Sequence, residues 1–266
     1  MKSQGKNGAT RWRRPRSDAR DGIRIRHCHG IAEFEACIRV ERAVWQSADS
    51  DVVPAPIFVV AAETGGQVLG AFQGDELVGF TMAIAGWRDG KPFLHSHMTA
   101  ILETYRNQGI GGRLKVFQME DALARGIRRI EWTFDPFVTK NAHFNFLRLG
   151  AIARKYLPNV YGITTSPLHS GLPTDRLVAE WHLRSARVRR ALANDRAVPP
   201  ISKMTVRITI PDGFEAQKRA DPGKAIRTQS AIRADFVKWL GKGYAATGVA
   251  PGKSGVDYIL EPWGKR

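Results

Sequence analysis

The sequence predicts a mixed α+β fold, and three observations carry that expectation. Segments with strand and helix periodicity follow in the order β, α, α, β, β, β, α, β, α, which is not the strict alternation of a parallel βαβ protein. Gln67 to Phe72 and Glu76 to Ala85 are strands joined around Gly74-Asp75, a hairpin signal. The stretch from Pro92 to Ala151 reads as strand, glycine turn, helix, strand, helix around Arg106-Asn107-Gln108-Gly109-Ile110-Gly111.

Each element has its own basis. Ile23 to His27 alternates apolar and basic residues, as an opening strand does. Ile31 to Trp45 places Ile31, Phe34, Ile38 and Val44 or Trp45 at helical spacing. Pro54 and Pro56 mark a new start, and Ile57 to Glu63 is helical or irregular. Phe93 to Leu102 is a strand. Ile110, Leu114, Phe117 and Asp121 to Ala124 give helical spacing, stopped by Gly126. Arg129 to Phe134 is a strand, and Asn141 to Leu149 a short helix closed by Gly150. Ala151 to Leu157 and Leu177 to Leu183 are further strands. Beyond them, Ser185 to Pro200 is helix then linker, Met204 to Ile210 a strand, and Ala225 to Leu240 a helix. Tyr244 to Val249 and Val256 to Leu260 close the chain as short strands. The expected division is a basic, disordered tail over 1–21, a main domain over 22–183, and a small α+β extension over 184–266.

The glycine turn has chemical content. Two glycines let the backbone turn tightly after a strand, and a helix then begins with unpaired N–H groups facing outward. Such a helix start favours phosphate oxygens through its free donors and its dipole. Competing phosphate motifs fail on residues. A dinucleotide fingerprint needs a third small residue where Leu114 stands. Gly252-Lys253-Ser254 resembles the end of a nucleotide-binding P-loop, but Thr247 occupies the place of its first Gly, so a solvated turn is expected.

Leu102 to Leu114, with the later helix Asn141 to Gly150, resembles the GNAT superfamily of acyl-CoA-dependent N-acyltransferases over about residues 23–165. His95-Ser96-His97-Met98, Trp132 to Pro136, Asn141 to Phe144 and Leu172 to Trp181 resemble more specifically a bacterial and archaeal branch of predicted acetyltransferases. The resemblance implies a central mixed, mostly antiparallel sheet flanked by helices, and an acyl-CoA, most simply acetyl-CoA, as cosubstrate. It implies that Arg106, Asn107, Gln108, Gly109, Ile110, Gly111, Gly112 and Arg113 grip the CoA pyrophosphate. The strand through Thr99 and Ile101 would pair with the pantetheine arm, which Asn141 and Asn145 would border, unless these two only cap the helix or face solvent. Many family members carry a Tyr near the end of that helix as acid for the leaving thiolate. Phe146 stands closest to that place and has no proton to give; Tyr156 or Tyr161 can substitute, His143 is a further option, or CoA leaves as thiolate without help from the protein.

Amide formation from an amine and a thioester needs a neutral amine, a polarised carbonyl and a proton path. Strict alternation puts His95, His97, Thr99 and Ile101 on one face and Leu94, Ser96, Met98 and Ala100 on a packed face. With an ordinary pKa near 6.5, His97 or His95 can act as base, or either can be a structural histidine. Asp135 can hold a histidine, accept the amine proton or cap the turn at Pro136. Arg176 can pair with an acceptor carboxylate, and Trp132, with Trp87 and Trp181, can line an acceptor pocket or pack in the core.

Composition narrows the class. Cys28 and Cys37 are too few for a disulfide framework and have no metal-ligand spacing, so no metal is expected. No apolar run reaches the ~20 residues that span a bilayer, and no apolar signal core follows the basic N-terminus. Cytoplasm is the expectation. Part of the formal net charge of +16 sits in the tail, with further basic residues clustered at Arg184, Arg187, Arg189 and Arg190 and a smaller pair at Lys218 and Arg219. It suits a solvated surface, attraction of anionic CoA, or nucleic-acid contact, the last unsupported by any motif. A homodimer is compatible with the extension. The expected activity is N-acyl transfer to a primary amine of a small molecule, amino acid or peptide; the alternatives are a non-catalytic acyl-CoA-binding module and a nucleic-acid-associated protein.

Overall fold

The computed structural model describes residues 22–46, 48–162, 171–193 and 204–264. The tail over 1–21 and most of the segment expected as a linker before Pro200 lie outside the described residues. Among the described residues ten strands form one sheet: β1 (Ile23–His27), β2 (Gln67–Gln73), β3 (Glu76–Arg88), β4 (Lys91–Ile101), β5 (Arg129–Phe134), β6 (Ile152–Leu157), β7 (Arg176–His182), β8 (Val206–Pro211), β9 (Tyr244–Pro251) and β10 (Gly255–Pro262). Their order is β1-β2-β3-β4-β5-β7-β6-β9-β10-β8. Every neighbouring pair is antiparallel except β4 and β5. Among the described residues seven α-helices accompany them: α1 (Gly30–Trp45), α2 (Ala55–Glu63), α3 (Ile110–Ala124), α4 (Thr139–His143, continued as a π turn over Phe144–Arg148), α5 (Ala186–Leu192), α6 (Phe214–Ala220) and α7 (Pro222–Gly241).

Helices cover both faces of the sheet. Phe34, Cys37 and Val40 of α1 and Phe58 of α2 pack against Phe80, Met82, Met98 and Ala100. On the other face Ile110 and Leu114 of α3 pack against Ile23, Leu69, Ala71 and Val78. Burying each such side chain stabilises by roughly 1.5–3 kcal/mol, which outweighs the small helix propensity of any one residue. Cys28 and Cys37 are both buried free thiols, with sulfurs 3.9 Å apart.

The extension does not stand apart from the main domain. Ala153 of β6 pairs with Ala246 of β9, so the sheet runs on through β9, β10 and β8. A single cluster of buried side chains joins Phe146, Leu149, Tyr156 and Trp181 to Phe236 of α7 and Tyr258 of β10. Gly150 allows the close approach of α5: its φ is 72°, and a Cβ there would lie 2.9 Å from the Val188 Cα. Gly252-Lys253-Ser254 forms the β9–β10 turn, closed by Gly252 N–H donating to the Gly255 carbonyl.

Two departures from the sequence expectation bear on function. First, β3 and β4 run past Ala85 and start before Phe93, meeting at Asp89-Gly90, where φ is 52° and 70°. Asp89 tolerates this left-handed geometry as Asn and Asp do in tight hairpins. Second, the alternation along β4 breaks. Met98 pairs with Met82 but Ser96 with Ala83, which leaves His97 as the extra residue of a β-bulge. Leu94, Ser96, Met98 and Ala100 are all buried as expected, yet not on one face. Leu94 packs in the cluster with Met119 and Ala122 of α3, and Ser96 meets Lys115 of the same helix. Met98 and Ala100 pack with α1 and α2, while Ile101 returns to the α3 side.

Candidate active site

The site begins where β4 and β5 part. These strands pair only at Leu94 with Ile130 and His95 with Glu131. From Ser96 onward the edge of β4 that faced β5 has no strand partner among the described residues, leaving main-chain donors and acceptors for another partner. β4 then leads into a short 3-10 turn (Glu103–Tyr105) and the loop Arg106–Gly109 before α3.

The start of α3 is open. Gly109 is its N-cap, with φ 79° and ψ 0°; no side chain caps the helix and its first turn holds no acid. A Cβ at Gly109 or Gly111 would meet nothing within 4 Å. Buried Ile110 and Leu114 fix the helix to the sheet, so the free N–H groups of its first turn are held in place. Asn107 adopts φ 62°. Arg106 donates from Nε to the Ile101 carbonyl (3.2 Å) and Gln108 from Nε2 to the Thr104 carbonyl (3.0 Å), so both brace the loop. Arg113 is directed elsewhere, its guanidinium donating to the Ile23 carbonyl of β1.

α4 borders the same opening. A Cβ at Gly112 would lie 4.0 Å from the Phe144 ring, so the first turns of α3 and the π turn of α4 are neighbours. Asn141 is exposed. Asn145 is buried; its Oδ1 accepts from Trp132 Nε1 (3.2 Å), and its Nδ2 has no partner among the described residues. A buried amide donor left unpaired is costly, and π turns cluster at functional sites. These features fit a ligand with a diphosphate at one end and an amide-bearing arm: an uncapped helix start, open glycines, a bare strand edge and an orphaned donor.

The fork has two chemically different faces. On the helix side lie Ser96, Trp132, Asn145 and Lys115. Lys115 Nζ donates to Ser96 Oγ (2.7 Å) and Gln118 Oε1 (3.1 Å), and lies 4.5 Å from the centre of the Trp132 ring. Burial alone lowers its pKa from 10.5 to about 7. Thr99 hydrogen-bonds with Thr81 (2.8 Å), whose hydroxyl also donates to the Met98 carbonyl.

On the opposite side are His95 and His97, rings 6.2 Å apart. Burial, then the charges of His97, Arg88 and Lys115, lowers His95 to about 4; desolvation also lowers His97, the more exposed of the two. Beyond His95 lies a buried ion network. Arg88 donates to Glu131 (2.6 Å), Arg154 to Glu180 (2.6 Å), and Arg129 reaches both carboxylates. Burial alone would raise the pKa of Glu180, but His182, Arg154 and Arg129 hold it down at about 2.

Several expected site residues lie apart from the histidines. The charges that bear on Asp135 are those of Arg176, Lys218 and Glu215, whereas His95 feels His97, Arg88 and Lys115. Asp135 Oδ1 accepts the Phe137 N–H (2.8 Å), which is the turn-capping role. Arg176 is 9% exposed, donates to the Asp175 carbonyl and lies 4.0 Å from Asp135, so it is a structural cation rather than an open carboxylate receptor. Trp132 is buried with its edge against Trp181, on the face away from the histidines. Trp87, by contrast, is 72% exposed on β3.

The substitutes for the missing tyrosine are also accounted for. Phe146 is in the core between Phe134 and Tyr258. The Tyr156 hydroxyl donates to Asp175 (2.7 Å), and burial raises its pKa further. His143 is exposed on α4. Tyr161 pairs with Thr133 (2.8 Å) on the histidine face of β5.

Periodicity missed Lys115 and Ser96. The buried stripe of α3 is Ile110, Leu114, Lys115, Gln118, Met119 and Ala122, and the two polar residues interrupting it were the available signal.

No helix among the described residues is long and apolar enough to cross a membrane, and none of their His, Cys, Asp and Glu side chains form a metal-binding cluster. A search of curated proteins gives no match. Solved structures with similar folds include a GNAT family acetyltransferase from Elizabethkingia anophelis with acetyl-CoA bound, at 15% identity over 61% of this chain and 99% of that one (TM-score 0.45). NAA60 of Arabidopsis thaliana in complex with a bisubstrate analogue gives 14% over 60% and 97% (TM-score 0.48). The aminoglycoside acetyltransferase meta-AAC0020 from an uncultured soil metagenomic sample, with sisomicin, gives 16% over 44% and 80% (TM-score 0.40). At these values the likenesses decide nothing by themselves. Residues 33–151, from within α1 through the fork, the open helix start and α4, match the Acetyltransferase (GNAT) family.

Proposed function

We propose that the chain is an N-acetyltransferase that moves the acetyl group of acetyl-CoA to the primary amine of a small molecule, an amino acid or a peptide. The observation that carries this is the fork between β4 and β5 leading to the uncapped glycine start of α3. In this proposal the N–H groups of Ile110, Gly111 and Gly112 hold the diphosphate, with Arg106, Asn107, Gln108 and Gly109 shaping the loop. The bare edge of β4 through Thr99 and Ile101 pairs with the pantetheine amides, and Asn145 Nδ2 donates to the same arm. Asn141 lies on the exposed rim.

The amine would approach from the face that carries His95 and His97, because Lys115, Trp132 and Asn145 fill the other. His97 is the better base. It is the more exposed of the two and desolvation is the cause that lowers it, whereas His95, at about 4, is too weak to take an ammonium proton efficiently at neutral pH. His95, kept neutral by burial and by the nearby positive charges, orients the approach.

The test is release of CoA thiol from acetyl-CoA across a panel of amines and amino acids, with acetyl-CoA binding measured in parallel by calorimetry. Turnover with a primary amine is expected. Tight binding with no turnover on any amine would instead favour a non-catalytic acyl-CoA module, and no uptake at all would overturn the proposal.

A further inference from the structure

The first residues beyond the fork, Ser96 on β4 and Trp132 on β5, share one partner in Lys115. That lysine is 5% exposed and has no carboxylate against it among the described residues. Asp121, further along α3, is taken by Gln67, His27 and Arg125, and Glu131 points to the opposite face with Arg88 and Arg129. The groups that do face Lys115 are uncharged: Ser96, Thr81 of β3 behind it, Trp132, and Gln118 of α3. His95 on β4 is the titratable group coupled to it. An amine kept without a counter-charge, at a position where an apolar side chain would pack better, indicates use rather than structure.

We propose that Lys115, acting through the Ser96 hydroxyl, supplies the proton to the thiolate that departs in acetyl transfer. This rests on the acetyl-CoA reading above. The acceptor nitrogen bonds to the acyl carbon, and the carbon–sulfur bond breaks with its electron pair going to sulfur. Ser96 gives its hydroxyl proton to sulfur and takes one from the Lys115 ammonium. The proton shed by the acceptor nitrogen goes to the neutral imidazole of His97. Lys115 ends neutral and regains its proton from solvent before the next turnover.

Hydrogen-bond geometry suits this role. Lys115 already donates to Ser96, so the hydroxyl proton of Ser96 points away from it. Its other hydroxyl contact among the described residues, Thr81 Oγ1, is 3.5 Å away, too long for a firm bond. An ammonium group that titrates near 7 transfers its proton downhill to a thiolate of ordinary pKa about 8.5, whereas a surface lysine near 10.4 would not. Of the other candidates, Phe146 has no proton to give, Tyr156 is committed to Asp175, Tyr161 pairs with Thr133 on the histidine face, and His143 is exposed on α4.

Lys115→Met and Ser96→Ala test the proposal. Wild-type kcat should fall as pH rises above about 7, where the buried lysine loses its proton. Lys115→Met should lower kcat roughly 10- to 100-fold, abolish that basic limb, and leave the KM for acetyl-CoA within about threefold. Ser96→Ala should lower kcat in the same direction. A readout independent of turnover is the NMR titration of the Lys115 side chain: it should fall near 7 in the free protein and shift when CoA binds beside Ser96. A basic limb retained in Lys115→Met, or a Lys115 titration that CoA binding leaves unmoved, overturns the role of Lys115 while leaving the acetyl-CoA reading standing. Failure of the wild type to bind acetyl-CoA overturns both.

Discussion

Replacing Lys115 by Met should make the protein more stable, by an amount that depends on pH in a particular direction. A fall in pKa from 10.5 to about 7 corresponds, at about 1.4 kcal/mol per pH unit, to a cost on the order of 5 kcal/mol for keeping the lysine buried. Met loses the bonds to Ser96 and Gln118, and leaves Gln118 Oε1 without its donor; together these offset roughly 2–4 kcal/mol. The net gain is about 1–3 kcal/mol, or a rise in Tm of about 2–8 °C for a chain of this size. The folded pKa lies below the unfolded one, so the unfolded chain binds the extra proton between pH 7 and 10.5. Wild-type stability is therefore least penalised above pH 10.5 and loses ground as pH falls to 7. Urea melts of both proteins from pH 6 to pH 10 should show the advantage of Lys115→Met greatest near pH 7 and shrinking toward pH 10. A variant that is less stable than wild type, or an advantage independent of pH, would refute the reasoning.

Gly111→Asp should weaken CoA binding at least roughly 10-fold in calorimetry, because a carboxylate beside the helix start repels a diphosphate. A Cβ there meets nothing within 4 Å, so its thermal melt should stay near that of wild type; unchanged affinity would remove the cradle from the site. His97→Ala should lower kcat by roughly 10²-fold or more with little change in acetyl-CoA affinity. The acid limb of the wild-type pH–rate profile should lie below pH 6.5, since desolvation lowers His97, and an unaltered limb in the variant would exclude that base. Neutral His95 stabilises the fold above pH 6.5, an effect lost as pH falls toward 4; His95→Phe should therefore narrow the drop in Tm across that window. Asp175→Ala should destabilise by about 3–5 kcal/mol, because Tyr156, Asn159 N–H and Arg233 all bond to that buried carboxylate; a loss under 1 kcal/mol in urea melts would contradict this.

What the sequence disclosed follows from which forces act locally. Arg129 to Phe134 was legible as a strand because Ile130, Trp132 and Phe134 alternate into one core. The open start of α3 was legible because left-handed backbone at Gly109 needs glycine. The bulge at His97 was not, because one unpaired residue leaves no mark on apolar alternation and yet redirects every side chain after it. Lys115 was hidden because a lysine within an amphipathic helix is ordinarily read as solvent-facing. Nor does sequence spacing reveal that Asp135 and Arg176 meet each other instead of the histidines, since strand order decides it. α6 escaped notice because seven residues after Gly213 carry too little periodicity.

The shared aromatic cluster of Phe146, Tyr156, Trp181, Phe236 and Tyr258 has a practical corollary. Trimming the polypeptide to the family-matched segment, or stopping it after His182, would strip away α7 and β10 and present to water the greasy surface they cover. Such a fragment should be recovered as inclusion bodies rather than as a minimal enzyme, so the catalytic half and its C-terminal neighbour must be expressed together.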